Sequence, residues 1–304
     1  MAKKNKASIK SSVYPPVVTV LGHVDHGKTT LLDAIRKTDI AGKEHGGITQ
    51  GIGASRIDII QDKITRGITF IDTPGHEAFS QMRSRGAQVA DIGLLVVSVV
   101  DGVQPQTKEG IKLLQEAKIP FIVVLTKSDL PEKNSAKTKQ QLVKEGVMLE
   151  GLGGDVPTIE VSAKTGKNIK ELLDIILLVF DMQTKEEKHD NEFYGVVIES
   201  RLDQKGGPRA TIVVRNGVIL PRDIVVCEKV EGRVRTLING KGQHVNKAET
   251  GDAIEMLGFV SVPVVGGIVF KKGDAKKTIL EDVSPSISEA YSPNVKKNSL
   301  SIIL

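Results

Sequence analysis

The chain has no tryptophan, and aromatic residues make up only 3% of its 304 positions. That scarcity weighs against a surface built to stack nucleic-acid bases. A single cysteine, Cys227, excludes an internal disulfide framework and leaves no thiol cluster for a metal. Set in Ile224-Val225-Val226-Cys227, it reads as a small core residue of a strand. No apolar run approaches the roughly 18 residues that cross a bilayer, and the N-terminus lacks a signal-peptide core. The expectation is a soluble, cytoplasmic protein with no membrane partner. Excess charge is also scarce: a net +5 and a sequence pI near 9.1 suit a polyanionic partner but are modest for a dedicated nucleic-acid binder. Lys3, Lys4, Lys6 and Lys10 supply part of that excess, in what reads as a flexible basic tail over residues 1–15.

What is present is enough for two domains with real cores, since 39% of the residues are hydrophobic and 26% charged. The stretch around which the rest is organised is Gly22-His23-Val24-Asp25-His26-Gly27-Lys28-Thr29. It follows the apolar run Val17-Val18-Thr19-Val20-Leu21 and precedes the helix-patterned Thr30-Leu31-Leu32-Asp33-Ala34-Ile35. The spacing G-x-x-x-x-G-K-T lets backbone N–H groups wrap a polyphosphate, aims Lys28 at the terminal phosphates and puts the Thr29 hydroxyl on a magnesium ion. Strand and helix on either side are the context that such a loop requires.

For about 180 residues the pattern alternates strand and helix. A glycine-rich interval over residues 42–53 has no apolar periodicity; residues 55–61 and 64–72 then read as two strands joined by a tight antiparallel turn. The apolar runs at 92–100, 121–125 and 156–161 suit buried strands, and residues 105–117 and 169–180 carry helical spacing. Such alternation implies an α/β domain with a mainly parallel sheet, whose ligands bind at the carboxyl ends of the strands. The loops there carry the expected chemistry. Asp72-Thr73-Pro74-Gly75-His76 follows one strand; Asp72 reaches a magnesium ion through water and Gly75 brings an N–H to the terminal phosphate. Thr126-Lys127-Ser128-Asp129 follows another, with Asp129 placed to accept the N1–H and 2-amino hydrogens of guanine, a donor pair that adenine lacks. The Lys127 stem lies along the base or ribose, and Ser162-Ala163-Lys164 offers a backbone N–H to the guanine carbonyl. Asp129 thus selects GTP over ATP, and four loops in order at the ends of successive strands make the signal a strong one.

These strings resemble the translational GTPase family. Gly-His-Val-Asp-His-Gly-Lys-Thr and the later Asp-Thr-Pro-Gly-His carry the likeness to the class as a whole. Gly46-Gly47-Ile48-Thr49-Gln50 with Ile52-Gly53-Ala54, Asp72 through Phe79, and Met82-Arg83-Ser84-Arg85-Gly86-Ala87 are similar to the bacterial translation initiation factor 2 family. The resemblance covers nearly the whole chain after about residue 15. It implies a P-loop GTPase domain over residues 16–182 with GTP or GDP and Mg2+ as cofactors. Thr49 would close over the magnesium ion and terminal phosphate in the GTP state, an order-to-disorder switch with Gly47 and Gln50 beside it. His76 would position the attacking water on the ribosome, with Val24 and Ile48 as apolar gates. Asp25 takes a metal-linked or loop-fixing role. Two positions depart from the family pattern. Thr126 stands where Asn is usual, which keeps a hydroxyl to tie loops together but loses an amide donor. Gly51 stands where His is usual, which adds backbone freedom to a segment that must order on GTP.

Residues 183–192 form a charged stretch that reads as a linker. Short strands at 194–200, 210–215, 223–228, 232–238 and 252–257, with turn signals at Asn216-Gly217, Asn239-Gly240 and Lys205-Gly206-Gly207-Pro208, predict a small antiparallel β-barrel over 193–283. By the same resemblance this barrel contacts ribosomal RNA, with Arg201, Lys205 and Arg209 as candidate phosphate contacts beside their plainer reading as solvated loop charges. Residues 284–304 read as a linker and the start of a truncated third domain. Full-length relatives carry further domains that hold initiator tRNA, so that partner is not expected for this stretch of sequence, and a monomer is. The sequence thus predicts a ribosome-stimulated GTPase of translation initiation. The alternatives are an elongation-type GTPase, or a GTP-dependent ribosome-binding module with negligible hydrolysis.

Overall fold

The computed structural model describes residues 14–37, 54–61, 64–71, 89–183, 192–204, 206–240 and 242–273. The first sheet has six strands in the order β2-β3-β1-β4-β5-β6. These are β1 (Val17–Gly22), β2 (Ala54–Gln61), β3 (Ile64–Ile71), β4 (Ile92–Ser98), β5 (Phe121–Thr126) and β6 (Thr158–Glu160). All pair in parallel except β2, which runs antiparallel to β3 along its full length, as the short spacing between the two requires. Alternate side chains of β4 go to opposite faces, as strand geometry dictates. Ile92, Leu94 and Val96 join a core with helices α1 (Lys28–Arg36) and, through Leu172, Ile176 and Phe180, α4 (Ile169–Gln183). Leu95, Val97 and Val99 join a second core with Ile111 and Leu114 of α2 (Pro105–Ala117) and Leu142 of α3 (Ser135–Lys144). Two covered faces explain why β4 reads as an unbroken apolar run.

Local chemistry sets the helix starts. Pro105 opens α2 where a missing N–H costs nothing, and Gln104 and Thr107 cap it reciprocally. The α3 helix was not expected from the sequence, because its apolar stripe is sparse. Its start is fixed by the Asn134 side chain, which accepts a hydrogen bond from the Lys137 N–H at 3.0 Å.

The second unit is an antiparallel barrel. Strands β7 (Tyr194–Asp203), β8 (Gly207–Asn216), β10 (Ile224–Cys227), β11 (Val230–Asn239), β14 (Ala253–Phe259) and β15 (Ile268–Lys271) follow the order β10-β15-β7-β8-β14-β11, and β10 pairs with β11 to close the ring. Short ladders add β9 (Val218–Ile219) against β13 (Ala248–Glu249) and β12 (His244–Val245) against β11. Cys227 is buried in the barrel core, as its apolar neighbours imply. The closing strand β15 was not foreseen, and β7, β8 and β11 run longer than their alternation suggests.

The two units share a buried contact. Val17, Ala54, Ile71 and Val89 pack against Val196, Ile198, Val213 and Ala253. Beside them Arg215 of β8 grips Asp91 with two bonds of 2.6 and 3.1 Å, and Asp91 also accepts the Val17 N–H at 2.7 Å. The Thr69 hydroxyl donates to the Gly251 carbonyl, and Arg56 pairs with Asp252.

Candidate nucleotide-binding site

Where β1 ends, the chain runs so close to β4 that a Cβ on Gly22 would sit 2.3 Å from the Val96 carbonyl oxygen, with φ at +148°. No other residue fits there. A single 3-10 turn over Val24–His26 leads to Gly27, left-handed at φ +82°, from which α1 starts at Lys28. The Lys28 ammonium folds back over the loop and donates to the carbonyls of Gly22 and His23 at 2.7 and 2.8 Å. Thr29 and Thr30 stand exposed at the helix N-terminus, where free N–H groups and the helix dipole favour an anion. Asp25 is exposed in the turn.

His26 is fully buried, although it belongs to the loop. Its Nδ1 lies 3.3 Å from the Val96 carbonyl, its Nε2 has no hydrogen-bond partner, and burial lowers its pKa to about 4. The neutral imidazole therefore serves as a packed wedge under the loop. Its backbone carbonyl accepts the Thr126 hydroxyl at 2.6 Å. Thr126 thus ties the base loop to the phosphate loop, as its retained hydroxyl led us to expect.

After β5 the chain turns sharply at Lys127, which has φ +59°. The Lys127 ammonium pairs with Asp101 at 2.8 Å, and this hydrogen bond holds the Asp101 carboxyl below the usual carboxylate range. Asp129 is exposed and accepts the Ser162 hydroxyl at 2.7 Å, a bond that likewise favours its ionised form. The Ser162 oxygen in turn accepts the Thr165 N–H at 3.2 Å, so the loop carrying Ala163 and Lys164 is fixed against the one carrying Asp129. Three loops, from β1, β5 and β6, therefore meet at the carboxyl end of the sheet. Two residues of this framework escaped the sequence reading. Asp101 belongs to no motif, and neither does Gln106, which bonds to His23 and Val24.

Gly47, Ile48, Thr49, Gln50, Gly51, Asp72, Thr73, Pro74, Gly75 and His76 lie outside the described residues, as does Lys205. Of the other basic candidates, Arg201 and Arg209 reach Glu255 at 3.0 and 3.3 Å. Glu255 is nearly buried, so both guanidinium groups balance its charge rather than standing as isolated loop cations. Among the described residues no cluster of three His, Cys, Asp or Glu is placed to hold a metal, and no helix is long and apolar enough to cross a membrane. The exposed Thr29 hydroxyl at a helix N-terminus fits a hard cation that takes most of its oxygens from phosphate and water.

Residues 16–182 match a family model described as the elongation factor Tu GTP binding domain. The chain belongs to that family. A second match, to elongation factor G domain 2, covers residues 192–272. The translation initiation factor IF-2 of Fusobacterium nucleatum subsp. nucleatum is 46% identical over 94% of this chain and 39% of its own length. That of Kosmotoga olearia is 50% identical over 84% of this chain and 36% of its own. This member of the translational GTPases is thus a homologue of the IF-2 proteins and spans well under half of their length. Among solved structures, GDP-bound aIF5B from Aeropyrum pernix superimposes with a TM-score of 0.70 at 31% identity, covering 89% of this chain and 56% of that one. A bacterial selenocysteine-specific elongation factor EF-Sec gives 0.62 at 26% identity over 85% of this chain and 45% of that one. The resemblance read from the sequence and the α/β-plus-barrel fold are both borne out.

Proposed function

We propose that this chain binds GTP and GDP and hydrolyses GTP as a cytoplasmic factor of translation initiation, stimulated by the ribosome. The observation that carries the reading is the convergence of the Lys28, Asp129 and Ser162 loops at the carboxyl ends of β1, β5 and β6, tied together by the Thr126 and Ser162 hydroxyls. In this reading the N–H groups of residues 25–30 wrap the β-phosphate, and Lys28 exchanges its two carbonyl contacts for phosphate oxygens. Asp129 accepts the two guanine hydrogens, already oriented by Ser162. Lys127 flanks the base and Ala163 offers its N–H to the guanine carbonyl. Thr29, with Thr49 and, through water, Asp72, would hold Mg2+, which would neutralise phosphate charge and stabilise the leaving oxygen. His76 orients the attacking water beside the Val24 gate. The barrel docks on ribosomal RNA, and the chain acts as a monomer. Binding of initiator tRNA belongs to longer relatives.

The alternative of a GTP-dependent ribosome-binding module with negligible hydrolysis draws in part on the departures at Thr126 and Gly51. At the first of them the Thr126 hydroxyl keeps the two loops tied, which supports an intact nucleotide site. Equilibrium binding of GTP, GDP and ATP with magnesium, repeated for Asp129→Asn with xanthine nucleotides, tests the site. Guanine selectivity in the native chain and a shift toward xanthine in the variant are expected; equal binding of ATP refutes the assignment.

A further inference from the structure

Besides Thr126, a second side chain holds the phosphate loop from outside. Gln106 Oε1 lies 3.1 Å from the Val24 backbone nitrogen and 2.8 Å from His23 Nδ1. A backbone N–H only donates, so the Gln106 atom facing it must be the oxygen. The same oxygen then accepts from His23, whose proton is fixed on Nδ1. Gln106 is itself well anchored. It is the second residue of α2, directly after Pro105, in a helix start capped by Gln104 and Thr107 and backed by Ile111 and Leu114 on the sheet. The same β4–α2 connection carries Asp101, which holds Lys127 of the base loop. Its start is pinned in turn, because Gln104 Nε2 donates to the Asp101 carbonyl at 3.0 Å and the Val103 N–H donates to Gln141 at 3.0 Å. One short segment thus braces both the phosphate loop and the base loop.

We propose that Gln106 is a positioning residue for nucleotide binding. Its oxygen fixes the first turn of the loop, holding the Val24 amide and the His23 ring. The N–H groups that follow are therefore already turned toward the phosphate before it arrives, and the 68%-exposed Val24 side chain keeps one orientation at the loop's rim. The inference rests on the nucleotide-site reading above.

Two variants separate this role from general support of the fold. Gln106→Leu keeps the size of the side chain and loses both bonds. Gln106→Glu keeps an oxygen that accepts both. Nitrogen-15 NMR of His23 in the nucleotide-free chain is expected to show the proton on Nδ1 in the native protein and in Gln106→Glu, and a mixture of tautomers in Gln106→Leu. Affinity for a fluorescent GDP analogue is expected to fall about three- to tenfold in Gln106→Leu, the worth of a hydrogen bond of ordinary net strength, with the thermal midpoint little changed. A native His23 protonated on Nε2 overturns the proposal, as does full affinity in Gln106→Leu. Lys28→Ala run in parallel keeps the two readings apart. If it binds like the native chain, the site assignment fails. If it loses binding while Gln106→Leu does not, only the role of Gln106 fails.

Discussion

Removing the Arg215 side chain tests how the two units are joined. Arg215 and Asp91 are 8% and 10% exposed, and two hydrogen bonds link them across the interface. Burial disfavours the guanidinium charge, but the Asp91 carboxylate more than offsets this and raises the Arg215 pKa above its ordinary value. Truncating one partner strands the other charge in a dry contact, which costs about 3 to 5 kcal/mol. Arg215→Met should therefore lower the urea midpoint strongly, or split a single transition into two as the barrel unfolds separately. The double variant Arg215→Met with Asp91→Asn should recover most of the loss. Its Asn oxygen still accepts the Val17 N–H, which Asp91 meets at 2.7 Å, and no charge remains to be buried. The reasoning is refuted if Arg215→Met costs less than about 1 kcal/mol, or if the double variant is as unstable as the two single losses combined.

Thr126→Val should cost about 1 to 3 kcal/mol by leaving the buried His26 carbonyl without its hydroxyl partner, and Thr126→Ser should restore it; equal thermal midpoints for the Val and Ser variants would discount the tie. His26 has its folded pKa lowered from 6.5 to about 4, so the neutral form belongs to the fold. Its contribution is complete above 6.5 and is lost as pH falls toward 4, because the unfolded chain takes up the proton first; the loss amounts to about 3 kcal/mol. Urea unfolding at about pH 8 and about pH 5 should show less of this decline in His26→Asn than in the native chain, and identical slopes would remove His26 from the pH dependence.

Much of the nucleotide unit was legible because its signals are local. The glycines at 22 and 27 are demanded by a 2.3 Å approach and a left-handed φ, and buried parallel strands announce themselves as unbroken apolar runs. Asp129 and Ser162 could each be placed at a strand end, although their mutual bond depends on two loops meeting in space. Gln106 was invisible for that reason: its partners are more than 80 positions away, and nothing at an exposed helix start marks a glutamine as a brace. The α3 helix escaped because only Thr138 and Leu142 of its ten residues are buried, too few for a periodic stripe.

The contact between the units illustrates a different limit. Its apolar members are Val, Ile and Ala, all but Val89 in strands, so sequence alternation cannot tell a residue facing its own core from one facing a neighbour. Only the register separates them. Ala54 pairs directly with Ile71, at the start of β2, which residues 38–53 precede, and the end of β3, which residues 72–88 follow, and Val89 comes directly after that second segment. The barrel therefore packs on the attachment points of both segments to which the family resemblance assigns the switches. Ala54 is small, and a Cβ on Gly240 of the barrel would lie 3.4 Å from its carbonyl oxygen, so the two backbones approach closely there. The polar ties beside them, Thr69 to Gly251 and Arg215 to Asp91, set one orientation that apolar contact alone would leave free to slide.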